Sequence, residues 1–249
     1  MNESPVALIT GSGSRRVGSV IAAELGRRGY SLVLHYRTSK EEAERQVAEF
    51  AGRGISAIAL QADLADETAV GRMFEAVRER FGRLDVLVNA AALWKKIPLE
   101  QTTAADLREH FNANALGTFL CCKFGGLMMV AQPTGGCIVN IGDWAEIRPY
   151  TDYAAYFPSK GAVTALTRSL AVELAARNPR VRVNCLLPGP VMLPDSIGPE
   201  EKQAIIEQTL VKREGRPEHI ASGVAFLIEN DFVTGVALPI DGGRSIHGN

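Results

Sequence analysis

Short apolar runs alternate along the chain with longer stretches in which apolar residues recur every three or four positions. The runs at 6–9 (Val-Ala-Leu-Ile), 31–36, 55–60, 84–88, 137–141, 181–186 and 236–240 predict seven β-strands. They are apolar at nearly every position rather than at alternate ones, as expected of strands covered on both faces. Between the first two, Val17, Val20, Ile21 and Leu25 repeat at helical spacing and stop before Gly29. Residues 40–52, 66–81, 103–130 and 156–177 read as further amphipathic helices. Strands alternating with roughly six helices predict right-handed βαβ units on a mainly parallel sheet. The expectation is an α/β fold: one doubly wound Rossmann-type domain over residues 1–249, with a seven-stranded sheet and helices on both faces. No repeat or linker interrupts it. The Pro- and Gly-rich stretch 188–200 is the one sizeable irregular region, and a substrate loop is expected around 188–212.

Composition narrows the class without naming a chemistry. Hydrophobic residues make up 46% and charged residues 22%, enough apolar material for a core, and the formal net charge is −1. That balance disfavours a nucleic-acid surface or a polybasic membrane contact. No apolar run in the sequence approaches the roughly 18 residues of a membrane span. The opening Met1-Asn-Glu-Ser-Pro leads into the first strand without a basic or apolar leader, so a cytoplasmic protein is expected. Cys121, Cys122, Cys137 and Cys185 show neither metal spacing nor a disulfide framework, and read as reduced, packed side chains. His110 and His219 lie on helical stretches with no Cys, His or carboxylate at ligand spacing, and no metal is expected.

The first chemistry lies in the turn Thr10-Gly-Ser-Gly-Ser-Arg-Arg-Val-Gly18, between the first strand and the first helix. Gly11 and Gly18 allow close backbone approach, and Arg16 and Val17 open the helix whose N-terminus suits a pyrophosphate. The second strand ends His35-Tyr36-Arg37-Thr38-Ser39-Lys40. An acidic residue there would hold a ribose diol and select NAD; cations and hydroxyls suit a 2′-phosphate instead, so NADPH is the expected cofactor. Asp63 and Leu64 follow the third strand, and Asn89, Ala90 and Ala91 follow the fourth. These carboxyl ends of strands are where such sheets bind ligands. His35 has a plainer alternative as a satisfied structural histidine.

Tyr156 and Lys160 stand four residues apart, on one face of a helix. A nearby ammonium draws a tyrosine hydroxyl, normally near pKa 10, toward useful acidity.

With the glycine turn, Asp63, Asn89-Ala90, Asn114 in Phe-Asn-Ala-Asn-Ala-Leu-Gly, Tyr156/Lys160, Pro188-Gly189 and Asp241-Gly-Gly243 in order, the chain resembles the short-chain dehydrogenase/reductase family over essentially its whole length. The resemblance implies that Tyr156 donates a proton, that Lys160 binds ribose and tunes the tyrosine, that Asn114 holds a water of the proton relay, and that Pro188 and Gly189 border the cofactor. It also implies a homotetramer.

Three departures stand out. Asp143 occupies the place of the usual serine thirteen residues before the tyrosine, Arg16 takes the middle glycine of a turn one residue longer, and Asn-Ala-Ala-Ala replaces Asn-Asn-Ala-Gly. An ionised aspartate only accepts hydrogen bonds, so it would repel the charge developing on a ketone oxygen and would suit ring N–H groups. A protonated Asp143 restores the ketone reading. The Asp-Tyr-Lys set, the arginine and His-Tyr at the second strand's end are similar to the pteridine reductase branch. That likeness implies an NADPH-dependent reduction of a C=N bond in a pterin or dihydrofolate-like ring. Trp94 would stack on the ring, Arg16 would reach phosphate and pterin, and Tyr153 would line the pocket and hydrogen-bond Asp143. Trp94 has an alternative as a wall residue, Trp144 as packing, and Met192 and Leu193 as loop anchors rather than a substrate cap. In that branch an arginine from a neighbouring C-terminus can enter the site; Gly248 falls near its place, with Arg244 and His247 close by. The alternatives are a carbonyl reductase, for instance of 3-oxoacyl thioesters, and a non-catalytic dinucleotide sensor.

Overall fold

The computed structural model describes residues 4–193 and 197–247. Seven strands form one parallel sheet in the order β3-β2-β1-β4-β5-β6-β7. They are β1 (Val6–Thr10), β2 (Ser31–Tyr36), β3 (Ala57–Gln61), β4 (Val86–Asn89), β5 (Gly136–Ile141), β6 (Val181–Pro188) and β7 (Ala237–Ile240). Each lies within two residues of its predicted run, and every neighbouring pair is parallel. The strands are apolar throughout because both faces are covered. On β1, Val6 and Leu8 join a core formed with α3 (Glu67–Phe81), α5 (Gly117–Val130) and α6 (Tyr156–Ala175). Ala7 and Ile9 point the other way, into a core shared with α1 (Val17–Arg27), α2 (Lys40–Ala51) and α8 (Pro217–Glu229).

Strand order reverses between β1 and β4. The chain therefore leaves these adjacent strands in opposite directions and opens a crevice beyond their carboxyl ends. The turn after β1 and the segment 90–94 form its lips, which is how two loops 80 residues apart meet: the amides of Ala90 and Ala91 both donate to Thr10 Oγ1, at 3.0 and 3.1 Å.

Three elements differ from expectation. The predicted helix 103–130 is continuous in direction but not in winding: α4 (Ala104–His110) passes through a π-helical segment, Phe111–Leu116, into α5. This helical stretch, Ala104–Val130, is long and apolar enough to cross a membrane by length and composition, unlike any uninterrupted apolar run in the sequence. More than half of that window is buried against the protein's own core, which explains its composition. The expected loop 188–212 contains α7 (Pro199–Glu207), started by Pro199 with Glu200 and Glu201 in its first turn, where acids meet the positive helix end. Helix α8 starts at Pro217 and is capped by His219, whose Nδ1 accepts from the Arg216 amide at 2.9 Å. Imidazole capping has no marked sequence signature, so the helical stretch expected around His219 had no predicted bounds.

Candidate active site

The crevice is a cleft of about 600 Å³. Its floor is bare backbone: a Cβ on Gly11, whose φ is +67°, would lie 2.8 Å from Ala91 Cα, and one on Gly18 would lie 3.0 Å from the Gly11 carbonyl. Helix α1 starts at the cleft with no side-chain cap at Arg16 and no acid in its first turn. An uncapped, positively polarised helix end over a glycine floor fits a pyrophosphate.

Further out, Arg16, Tyr36, Arg37, Thr38 and Ser39 line the cleft. Lys40 is directed away and pairs with Glu44 at 3.7 Å. Asp63 and Leu64 line the same wall, as do Val17, Ala90, Ala91, Trp94, Asp143, Tyr156, Lys160, Pro188 and Gly189, whereas Asn89, Asn114 and Tyr153 of the expected set do not.

Two predicted cofactor residues act differently. His35 borders the cleft but is buried and spent on structure: Nδ1 accepts from the Gly11 amide and Nε2–H faces the Ala62 carbonyl, each at 3.1 Å. It pins the glycine turn to the end of β3, and burial lowers its pKa to about 4. Asn89 turns its amide into the core rather than the cleft, donating to Asn140 Oδ1 at 2.8 Å, and Asn140 continues to Thr167. The cleft wall at that level is the backbone of residues 90–94. Thr10, whose hydroxyl holds that wall, was not singled out from the sequence, although its place at the end of β1 was the available signal.

At the inner end, Tyr156 Oη donates to Asp143 Oδ2 at 2.9 Å, and Asp143 Oδ1 accepts from the Ala145 amide at 2.9 Å. Burial raises the pKa of Asp143. Burial also raises Tyr156 well above 10, reinforced by the negative charge and hydrogen bond of Asp143. Lys160 is almost fully buried; its Nζ donates to the Ile141 carbonyl at 2.8 Å, and desolvation lowers its pKa. Asn114 lies in the π-helical segment. Its amide clamps Leu93, accepting from the Leu93 N–H at 2.7 Å and donating to the Leu93 carbonyl at 3.0 Å, and also donates to Ser159. The side chain is thus committed to holding the cleft wall.

Trp94 is 44% exposed at the cleft, and its ring stacks on Tyr153 at 5.5 Å and 12°. Tyr153 does not supply the Asp143 hydrogen bond expected of it, since Tyr156 and Ala145 do; it backs Trp94 in a cluster with Tyr150, Tyr156 and Phe157. Trp144 packs between Tyr150 and the Arg244 guanidinium, which lies 4.4 Å over its ring. Arg244 comes from the same chain and donates to Gln208 Oε1 at 2.8 Å. Gly248 lies outside the described residues. Leu193 is a loop anchor through the bond from its amide to Glu214, and Val191, rather than Met192, lines the cleft.

An uncapped helix end over a glycine floor, leading to a buried Tyr-Lys pair, defines a dinucleotide-dependent oxidoreductase. The family model described as enoyl-(acyl carrier protein) reductase matches residues 13–245. A 3-oxoacyl-(acyl-carrier-protein) reductase FabG of Staphylococcus aureus is 33% identical over 247 residues, covering 98% of this chain and 99% of its own. A short-chain type dehydrogenase/reductase of Picea abies is 33% identical, over 96% of this chain and 92% of its own. Among solved structures, acetoin dehydrogenase from Enterobacter cloacae superposes with a TM-score of 0.88 at 32% identity, covering 100% of this chain and 98% of its own.

The chain belongs to the short-chain dehydrogenase/reductase family, whose members use NAD(P)(H) and act on small molecules. It is an oxidoreductase, which removes the sensor alternative. The pteridine branch has no counterpart among these relatives, of which the FabG reductase and the acetoin dehydrogenase are named for carbonyl chemistry.

Proposed function

We propose that the protein is an NADPH-dependent carbonyl reductase in which Asp143 works as a neutral acid. The observation that carries this is the Asp143–Tyr156 hydrogen bond of 2.9 Å at the inner end of the cleft, which Asp143 lines. The sequence argument against ketones assumed an ionised aspartate. Burial raises the pKa of Asp143, and a protonated carboxyl has one hydrogen to offer a carbonyl oxygen, as a serine hydroxyl does. An ionised Asp143 would also oppose Tyr156, because its charge and hydrogen bond both hold the tyrosine's proton in place. Neutralising Asp143 removes the charge and weakens the hydrogen bond, which its carbonyl oxygen still accepts. The substrates favoured by the relatives are a 3-oxoacyl thioester or a small hydroxyketone or diketone.

The cofactor, when bound, supplies hydride. Gly11, Val17, Gly18 and the start of α1 would hold its pyrophosphate, and Arg16, Arg37 and Ser39 its 2′-phosphate. Asp63, Leu64, Ala90, Ala91, Pro188 and Gly189 would border its rings and riboses. Tyr156 holds the proton given to the substrate oxygen, Lys160 stabilises the resulting tyrosinate, and Asn114 fixes the wall through Leu93. Residues 188–212, of which 194–196 lie outside the described residues, would form the substrate loop of one domain spanning the chain. Exposed Leu116, Leu127 and Val172 on the helices give apolar area for the homotetramer implied by the family.

One observation favours a second reading. Trp94, half-exposed on the cleft and backed by Tyr153, is a stacking platform, and an ionised Asp143 would accept from a ring N–H. That is the pteridine reductase reading, with Arg16, Trp94, Asp143, Tyr153 and Tyr156 around a pterin or dihydrofolate.

Initial rates of NADPH and NADH oxidation with acetoacetyl thioester, a vicinal diketone, dihydrobiopterin and dihydrofolate decide between them. Turnover of the carbonyl compounds with NADPH is expected. Turnover of the pterins alone would overturn the carbonyl proposal in favour of the second reading.

A further inference from the structure

We propose that Arg244 is a positioning residue of this active site: by stacking on Trp144 it sets the turn that carries Asp143, and it ties that turn to the end of α7. The proposal rests on the reading in which Asp143 and Tyr156 act together on the substrate. Asp143 caps the short 3-10 turn Trp144–Glu146; its Oδ1 accepts from the Ala145 amide and its Oδ2 from Tyr156 Oη, each at 2.9 Å. The carboxyl therefore moves with the turn, and whatever holds the turn sets the contact between Asp143 and Tyr156.

Trp144, the residue next to Asp143, is the handle of that turn. Its buried ring stacks with Tyr150 at 6.1 Å and 22° and meets the Arg244 guanidinium 4.4 Å from its centroid. A planar guanidinium is well matched to an indole face. Arg244 is itself fixed at its backbone and at its tip. Asp241 Oδ1 accepts from the Gly243 amide at 2.9 Å and Oδ2 from the Ser245 amide at 2.6 Å, which holds the chain on either side of the arginine. Its Nη2 donates to Oε1 of Gln208, the residue that ends α7, at 2.8 Å. The backbones meet beside that bond, where the Leu210 and Val211 amides donate to the Gly242 carbonyl at 2.8 and 3.3 Å. On the cleft side, the Gly189 amide donates to the Ile240 carbonyl at 2.9 Å. One short segment after β7 thus touches the cleft wall, the end of α7 and the neighbour of Asp143.

Stability alone does not call for an arginine here. Arg244 is 9% exposed, and among the described residues no carboxylate lies within ion-pair distance and nothing accepts from its Nε–H. Burying a cation on one neutral acceptor and a ring costs the fold more than burying an apolar chain of similar length. A stabilising arginine and a positioning one therefore give opposite results in Arg244→Met. The first lowers Tm and spares the rate; the second spares Tm and lowers the rate.

The test is a double-substitution cycle on steady-state rates with NADPH and whichever substrate turns over. Arg244→Met is expected to lower kcat by about ten- to a hundredfold, as when reacting groups are misplaced by up to about 1 Å. Its Tm should stay level or rise, and its NADPH affinity, by fluorescence titration, should stay within about twofold. Trp144→Leu should lose kcat to a similar extent, and the double variant should be no slower than the slower single one, since both act through one contact. Losses that multiply, a parent-like kcat in Arg244→Met, or a loss that appears only with a fall in Tm overturns the proposal. Gln208→Leu unties α7 and leaves the stack in place, so it should raise the KM for substrate and cost less of kcat than Arg244→Met; an equal loss of kcat would place the effect in α7 and overturn the proposal. If Trp144→Leu does not fold, Arg244→Lys decides, because it keeps a cation on the ring and should recover part of the kcat lost in Arg244→Met; no recovery overturns the proposal. Asp143→Leu is the reference. If it turns over as fast as the parent, the reading of Asp143 falls and Arg244 has nothing to position; if it is slow while Arg244→Met is fast, the proposal falls alone.

Discussion

At the scale of the residue, the chemistry turns on one proton at Asp143. Asp143→Asn offers an N–H where the neutral acid offers an O–H, so it should keep at least a tenth of the parent's ketone turnover and lose the part of the pH dependence that belongs to the acid. An enzyme that needs the carboxylate to accept from a ring would instead lose activity at all pH values. Steady-state profiles of the two proteins from pH 5 to 10 separate these outcomes. Tyr156→Phe removes the proton donor itself and should lower kcat by about 10²- to 10⁴-fold while leaving NADPH affinity, measured by fluorescence titration, within about twofold. For Arg37→Ala, the KM for NADPH should rise by about tenfold and that for NADH should stay where it was, as expected when a charge-assisted bond to a phosphate is lost.

Most of these residues were legible in the sequence because their chemistry needs a fixed type at a fixed spacing. Thr10 was not, since it acts through partners distant in sequence, the amides of Ala90 and Ala91. The direction in which Asn89 points was equally hidden: its position follows from the strand, but its partner, Asn140, follows from strand order.

At the scale of the element, β4, β5 and α5 place the cleft wall and Asp143, and glycines set how closely they approach one another. A Cβ on Gly125 of α5 would lie 2.9 Å from Phe74, 3.0 Å from Leu87 and 3.3 Å from Leu84, groups contributed by α3, by β4 and by the turn between them. With walls from three directions none can yield alone, so Gly125→Val should destabilise the protein by about 1–3 kcal/mol. For a chain of this length that corresponds to a fall in Tm of roughly 2–10 °C by calorimetry. Strands were the easiest elements to read, since burial on both faces writes them as unbroken apolar runs. Helices α7 and α8 were the hardest: α7 has no buried residue to give it an apolar stripe, and the cap of α8 is a histidine.

At the scale of the whole molecule, acid should act first through His35. Its pKa is about 4 in the folded protein and near 6.5 unfolded, so the folded state binds fewer protons between those values. Stability is therefore complete above pH 6.5 and falls as pH drops toward 4, by on the order of 3 kcal/mol. Urea titrations at pH 7 and pH 4.5 should show the loss, and His35→Gln should show much less of it. Because His35 ties the glycine turn to β3, the same protonation should release NADPH before the sheet unfolds, visible as a drop in cofactor affinity at pH values where the far-ultraviolet signal is still native.

The π-helical segment between α4 and α5 has one more consequence. A π turn holds one residue more than an α turn, so the two halves of this helix are out of phase by about 100° of rotation. The upstream half packs His110 against Tyr156, the segment itself aims Asn114 at Leu93, and the downstream half seats Cys121, Cys122 and Met129 in the core. Deleting a single residue at 112–113 would restore ordinary winding, yet it would swing one half away from its partners. The surplus residue is a phase correction, and its removal should be tolerated less well than most substitutions around it. In a gene, a one-codon insertion that lets one helix serve two surfaces becomes hard to lose once both surfaces are in use.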